Sequence, residues 1–247
     1  MTARKWLGAG LGLAGVLVGT RVHAAETLEK KNESHWGVRL EANTDFPLGV
    51  GGRLAVITPW RLYLTGSVDY LLPAYAQAIT GVATSAGYDA TKAGYINHGI
   101  LGSLSWRAHL GWQPFATSGF YFEAGYGQLA LGGQVNPEAA LVSVLHIDAP
   151  TGDTTADRQY FVRALVHQVD LELGWRWRLG EQSHWSIRAA LGGTVTLQSK
   201  TQVEARFEPS DPAAVDSFTQ ANANKSDSYF KKYGYVPSVG LSVGYTF

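Results

Sequence analysis

Cysteine is absent from the 247 residues, which excludes disulfides, thiolate metal sites and a lipid-modified cysteine anchor. Charged residues make up only 16% of the chain, fewer than an ordinary soluble domain carries. Beyond the first 24 positions there is no apolar run long enough for a spanning helix, which needs about 20 residues. A mature chain of this kind can enter a membrane only as a closed barrel, because no other arrangement without helices pairs every backbone group. Basic excess is missing too, with 20 Lys and Arg against 20 Asp and Glu. Nothing therefore argues for nucleic acid as a partner.

The N-terminus has the parts of a secretory signal. Arg4 and Lys5 precede an apolar stretch from Trp6 to Val18, and Val22-His23-Ala24 offers a small-residue cleavage site before Ala25. The stretch is too short and too rich in Gly for a transmembrane helix. The expected organisation is a cleaved signal peptide over 1–24, a short periplasmic segment over 25–35 and one domain over 36–247. Removing the signal takes three basic residues and no acidic ones, so the mature chain is mildly acidic.

Eight Trp, 12 Tyr and 29 Gly accompany a period-two alternation that recurs along the mature chain, the signature of strands with one apolar face. The clearest case is Pro237 to Phe247, where Val239, Leu241, Val243, Tyr245 and Phe247 oppose Ser238, Gly240, Ser242, Gly244 and Thr246. Seven further stretches alternate in the same way. They set Trp36 to Ala42 against Arg39, Glu41 and Asn43, and Val50, Leu54 and Val56 against Arg53. Next come Trp60 to Tyr70 against Arg61, Tyr63 and Asp69, then Ile100 to Trp112 against Arg107 and His109. Phe120 to Tyr126 opposes Tyr121 and Glu123, with a phase break expected at Gln128 to Leu131. Val169 to Leu179 opposes Asp170, Glu172, Arg176 and Arg178, and Trp185 to Leu197 opposes Arg188, Thr194, Thr196 and Gln198.

Connections alternate between short (Thr58-Pro59, Pro114 to Ser118, Gly180 to Ser183) and long (Leu72 to Asn97, Gly132 to Tyr160, Ser199 to Gly234). That asymmetry belongs to outer-membrane barrels, with tight periplasmic turns and long extracellular loops. Thr44 to Gly49 is the exception, short for an outer connection. Trp36, Trp60, Trp112, Trp177, Trp185 and Phe247 fall beside the ends that this topology makes periplasmic. Indole joins an apolar body to a polar N–H, so such a ring reads as an interfacial girdle. A second girdle is expected near Tyr70, Tyr126 and Tyr235.

The chain thus resembles the small eight-stranded outer-membrane barrels, the group that includes the OmpA transmembrane domain, OmpX and the opacity proteins. The resemblance rests on the alternation, the girdle and the final strand. It implies an all-β fold, an eight-stranded antiparallel up-and-down transmembrane barrel with long extracellular loops. It also implies that Val243, Tyr245 and Phe247 form an assembly signal read by the barrel-assembly machinery during insertion. Outer-membrane lipid and lipopolysaccharide are the other expected partners, and the location is the bacterial outer membrane.

Inward positions carry Arg39, Arg53, Arg61, Arg107, Arg176, Arg178 and Arg188 with Glu41, Asp69, Glu123, Asp170 and Glu172. Eight strands enclose just enough room for their own side chains, so these charges are expected to pair as a plug rather than line a pore. The corresponding function is a sealed, non-enzymatic membrane protein acting structurally or through its loops. No cofactor or metal is expected: the histidines lack ligand spacing, and Asp148, Asp153 and Asp157 lack the pattern of a calcium loop. Two other readings stand beside this one. A narrow conduit for small apolar molecules, resembling OmpW, would use inward Ile57, Leu101 and Val166. A lipid-modifying barrel enzyme would need a His-x-Ser pair, and His184-Trp185-Ser186 has that spacing but lies by a short periplasmic turn. The loops are expected to be solvated, with Tyr160 to Gln168 and Gln198 to Phe207 continuing as ribbons.

Overall fold

The structure is a computed structural model that describes residues 36–85, 97, 100–145, 147–148, 158–180 and 184–247. The expected signal peptide and the segment over 25–35 lie outside the described residues, as do Tyr88, Tyr95, His98, His146, Asp153 and Asp157.

Eight strands form one closed antiparallel barrel in chain order. They are β1 (Gly37–Phe46), β2 (Gly49–Ile57), β3 (Leu62–Tyr70), β4 (Leu104–Trp112), β5 (Phe120–Pro137), β6 (Gln159–Leu179), β7 (Trp185–Ala205) and β8 (Tyr235–Thr246). Closure comes from β1 pairing with β8, from Arg39 opposite Thr246 to Phe46 opposite Val239. One step further, the Phe247 amide donates to the Val38 carbonyl at 2.8 Å. No strand in the ring is left with an unpaired edge along this stretch, which is the condition for a sheet in hydrocarbon.

Burial follows the alternation. In β3 and β4 every second residue is buried and every other one exposed. Below the ribbon the exposed set is mainly apolar on all eight strands and includes Leu40, Leu54, Leu64, Leu110, Phe122, Leu173, Leu191 and Leu241. The buried set is mostly polar and charged, with Ala55, Tyr63, Tyr121, Val166 and Ala190 among its apolar members. A protein with oil outside and charge inside inverts the soluble pattern and matches a barrel whose solvent is lipid.

The strands differ in height. β5, β6 and β7 run on past the last residues of β4 and β8 as a three-stranded ribbon. Two irregularities adjust it. In β5 the shift falls between Gly132 and Gln134, not at Gln128 to Leu131, where the pairing with β6 is unbroken. Gln128 keeps its phase, faces outward and accepts from the Trp106 indole N–H at 3.1 Å. In β7 Leu197 is the extra residue, between Thr196 opposite Gln168 and Gln198 opposite His167. That bulge turns Gln198 outward, against its expected inward place, and puts Ser199 and Thr201 on the buried face.

Three helices whose bounds lie among the described residues occupy stretches expected to be loop: α1 (Pro73–Ser85), α2 (Glu138–Leu145) and α3 (Pro212–Tyr233). The longest, α3, starts at an N-cap, where the Asp211 carboxylate accepts from the Ala214 amide at 3.1 Å, and Pro212 suits the first turn. Its Val215 and Phe218 pack with Leu141 of α2 and Tyr160 of β6 into a small apolar cluster. The ribbon and α3 thus form a structured cap on the end away from the Trp girdle.

Candidate functional site: the charged bore

At the girdle end of the bore two tyrosines face each other. Tyr63 of β3 and Tyr121 of β5 meet edge to face at 6.5 Å. The Arg39 guanidinium lies 5.7 Å from the Tyr63 ring and that of Arg176 lies 5.6 Å from the Tyr121 ring, favourable placements over the negative ring faces. Ala55 and Ala190 complete a small apolar cluster here.

Above it three carboxylates gather the arginines. Glu41 Oε1 accepts from Arg39 Nε at 2.5 Å and from Arg176 Nη1 at 2.7 Å, while Oε2 accepts from the Ser242 hydroxyl at 2.7 Å. Glu123 accepts from Arg53 Nη2 at 2.5 Å and from the Tyr63 hydroxyl at 2.9 Å. Glu172 accepts from the Tyr121 hydroxyl at 2.7 Å and from Arg188. Nearer the cap, Arg107 bridges Asp45 and Asp69, the latter at 2.7 Å, and Asn43 Nδ2 donates to Asp69 at 2.7 Å. Asp170 accepts from Thr194 at 2.7 Å and stands 3.5 Å from His109 Nε2.

These bonds cross the bore. Glu41–Arg176, Arg53–Glu123 and Arg107–Asp45 each join strands three places apart in the ring, and Arg53 with Glu172 at 3.8 Å joins opposite ones. Arg53 and Arg188 are each only 1% exposed. Charges removed from water to this degree are tolerable only when paired and hydrogen-bonded.

Ten of the twelve charges expected in the bore lie there buried: Arg39, Glu41, Arg53, Asp69, Arg107, Glu123, Asp170, Glu172, Arg176 and Arg188. Two do not. Arg61 is exposed in the β2–β3 turn, with a φ of 63°, and its guanidinium donates to the Pro114 carbonyl at 3.2 Å. Arg178 keeps inward phase but emerges into solvent at the girdle end. Alternation alone missed Asp45, which a continued count through 39, 41, 43 and 45 would have found. It also left Tyr63, Tyr121, Ser242 and Thr194 out of the network, since neutral hydroxyls give no charge signal.

Around the outside, Trp36, Trp60, Trp112, Trp177, Trp185 and Phe247 are all exposed. Trp36 meets Trp60 at 6.2 Å, and Tyr245 lies between Trp185 at 5.2 Å and Phe247 at 4.9 Å. Val243 is exposed on the same face. His184 stacks on Tyr245 at 5.5 Å and its Nδ1 is 3.0 Å from the Thr246 carbonyl, whereas Ser186 is buried inside. The two side chains belong to opposite faces of the wall and make no nucleophile–base pair. Among the described residues no cluster of His, Asp and Glu has the grouping to hold a metal.

No protein-family model matches the chain, and no curated protein matches it either. Among solved structures it is similar to CarO of Acinetobacter baumannii, at 13% identity, covering 88% of this chain and 100% of that one with a TM-score of 0.36. It is also similar to a major outer membrane protein from Thermus thermophilus, at 15% identity over 86% of this chain and 99% of that one, with a TM-score of 0.42.

Proposed function

We propose that this protein is a bacterial outer-membrane barrel whose own side chains seal the bore, and which serves, without catalysis, as an anchor displaying the cap. The observation that carries the reading is the set of ion pairs between strands three or four places apart in the ring of eight. Arg188 alone meets Glu172, Asp45 at 3.3 Å, Ser242 at 3.1 Å and Tyr121 at 3.2 Å. A solute would have to break these contacts to pass. The membrane setting is supported by the apolar belt, by the Trp girdle at one end, and by short turns there against long connections at the other.

An apolar conduit finds less support. Ile57 packs against the tyrosine cluster at the girdle end, Val166 is buried near the cap, and the charge network separates them. Purified protein in planar lipid bilayers tests the seal. Silent membranes are expected from the wild type, and stable unitary channels would overturn it. Arg53→Ala with Arg188→Ala removes one crossing guanidinium and a second that fills the bore beside it, and is expected to give flickering conductance.

A further inference from the structure

We propose that the outward face of the β5–β7 ribbon, around Arg163 and Lys200, is a binding site for the phosphate and sugar groups of the glycolipid in the outer leaflet. The inference rests on the membrane placement proposed above and gives that placement a specific contact.

Outward positions on the strands are almost free of charge. Among the described residues they carry three charged side chains, Arg163 of β6 with Lys200 and Glu204 of β7. Glu204 is engaged by Arg206 at 3.7 Å, and the Arg206 guanidinium lies 4.8 Å from the Phe161 ring. Arg163 and Lys200 are both exposed. Register sets them side by side, since Arg163 faces Gln202 and Lys200 faces Leu165, a diagonal relation of about 7–8 Å. Two long cationic side chains at that spacing can close on one phosphate. Helix α3 packs on the opposite, inward face, where Ser199 donates to the Asp227 carbonyl at 3.3 Å and Thr201 to its carboxylate at 2.7 Å.

The height of the two cations follows from the girdle. Trp177 and Trp185 mark its level, and in pairing steps Arg163 and Lys200 stand about 14 residues above them along β6 and β7. At about 3.3 Å per residue and a tilt of about 40°, that is about 35 Å. An apolar band of about 25 Å therefore ends near His167 and Leu197. Both cations lie at headgroup level, with apolar stems that reach back towards the edge of the band.

The wall just below them is polar without fixed charge, which suits the sugar of a glycolipid. His167 is flanked by Gln128 on β5 and Gln198 on β7. The Trp106 indole N–H donates to Gln128 at 3.1 Å, and the Tyr126 hydroxyl shares a hydrogen bond with His167 Nδ1. Amide side chains offer both donors and acceptors to hydroxyl groups. Trp106 and Tyr126, 5.9 Å apart, form an amphipathic step at the interface. A glycolipid there meets the belt with its chains, the amides with its sugar and the two cations with a phosphate.

The test uses the protein folded in maltoside micelles, with fluorescent bisphosphorylated lipid A as the probe. Each membrane-proximal cation contributes roughly a fivefold gain in affinity, so Arg163→Gln with Lys200→Gln is expected to weaken binding on the order of 20-fold. Lys231→Gln with Lys232→Gln removes the same charge from α3 and should leave binding nearly unchanged. Dephosphorylated lipid A, phosphatidylglycerol and inorganic phosphate should each compete poorly. Undiminished binding by the first double variant, an equal loss in the second, or competition by any of the three equal to that of unlabelled lipid A would each overturn the site. Heat-modifiable gel mobility is read on the same samples. Folded wild-type protein that does not bind the probe refutes the site alone, whereas protein that folds in no amphiphile refutes the membrane reading beneath it.

Discussion

A bore filled to closure depends on small residues set opposite large ones. Gly111 is the partner of Tyr63 across β3 and β4, and a Cβ on it would overlap the Tyr63 ring at Cζ. Gly125 stands in the same relation to His109, and Gly174 to Tyr121. The Tyr63 ring is held by its bond to Glu123 and has little room to give. Gly111→Ala is therefore expected to destabilise the barrel by about 1–3 kcal/mol. Gly66, on the outer face with nothing within 4 Å of its Cβ position, is the matched control, and Gly66→Ala should stay within about 0.5 kcal/mol of wild type. Urea unfolding in lipid vesicles would compare them, and equal losses would mean that the packing argument is wrong. Arg188→Met leaves Glu172 and Asp45 short of a charge partner inside the wall, and the same assay should register a loss of about 3–5 kcal/mol. At this scale the sequence was legible by parity: inward charges follow from counting by two. Parity does not say where the bore stops, which is why Arg61 and Arg178, one in a turn and one at the mouth, were assigned to it.

Strands and helices were unequally legible. Strands with a lipid face and a polar face alternate sharply, because each face meets a different medium. The helices of the cap meet protein on one side and water on the other, with few apolar residues to mark the boundary. α3 buries Val215, Phe218 and Asn222, a stripe at helical spacing that is polar in its last member. Its start was written in the chain as Asp211-Pro212, and its end as paired lysines before Gly234. Asp211→Ala should loosen the helix by about 1 kcal/mol, seen as faster amide exchange in the first turns of α3 with the barrel unaffected. Tyr160 gives the cap a pH dependence. Burial in the apolar cluster, together with the Glu138 carboxylate that accepts from its hydroxyl at 3.2 Å, holds its pKa above the usual 10. The folded cap retains this proton longer than the unfolded one. Its contribution is thus complete below about pH 10 and is lost as pH rises through the higher folded value. Amide exchange in α2 and α3 should accelerate in that alkaline range, and Tyr160→Phe should blunt the acceleration; an identical profile in the variant would exclude Tyr160 as the cause.

For the whole molecule, the ring topology could be read from the alternation and from the order of short and long connections. The height of the ribbon could be read only in part. β6 and β7 show their length in sequence, but β5 hides its upper part behind Gly132 and Gly133, where the pattern lapses as the register shifts. Closure gives the last strand its weight. Phe247 joins the seam through its amide to Val38 and braces Tyr245 with its ring. Phe247→Ala is expected to lower the amount of folded, heat-modifiable protein in outer-membrane fractions severalfold while leaving the unfolding midpoint of the folded fraction almost unchanged. A normal yield would remove Phe247 from any role in assembly.

The ion pairs that shut the bore also have a mechanical meaning. Hydrogen bonds around the wall fix neighbouring strands to each other but leave the ring free to flatten, as a hoop can be squeezed without being broken. Glu41–Arg176, Arg53–Glu123 and Arg107–Asp45 run across that hoop like spokes. Squeezing along one diameter must lengthen pairs along another, so the cross-section resists lateral pressure from the surrounding bilayer. The cap rises from one side of this cross-braced wall.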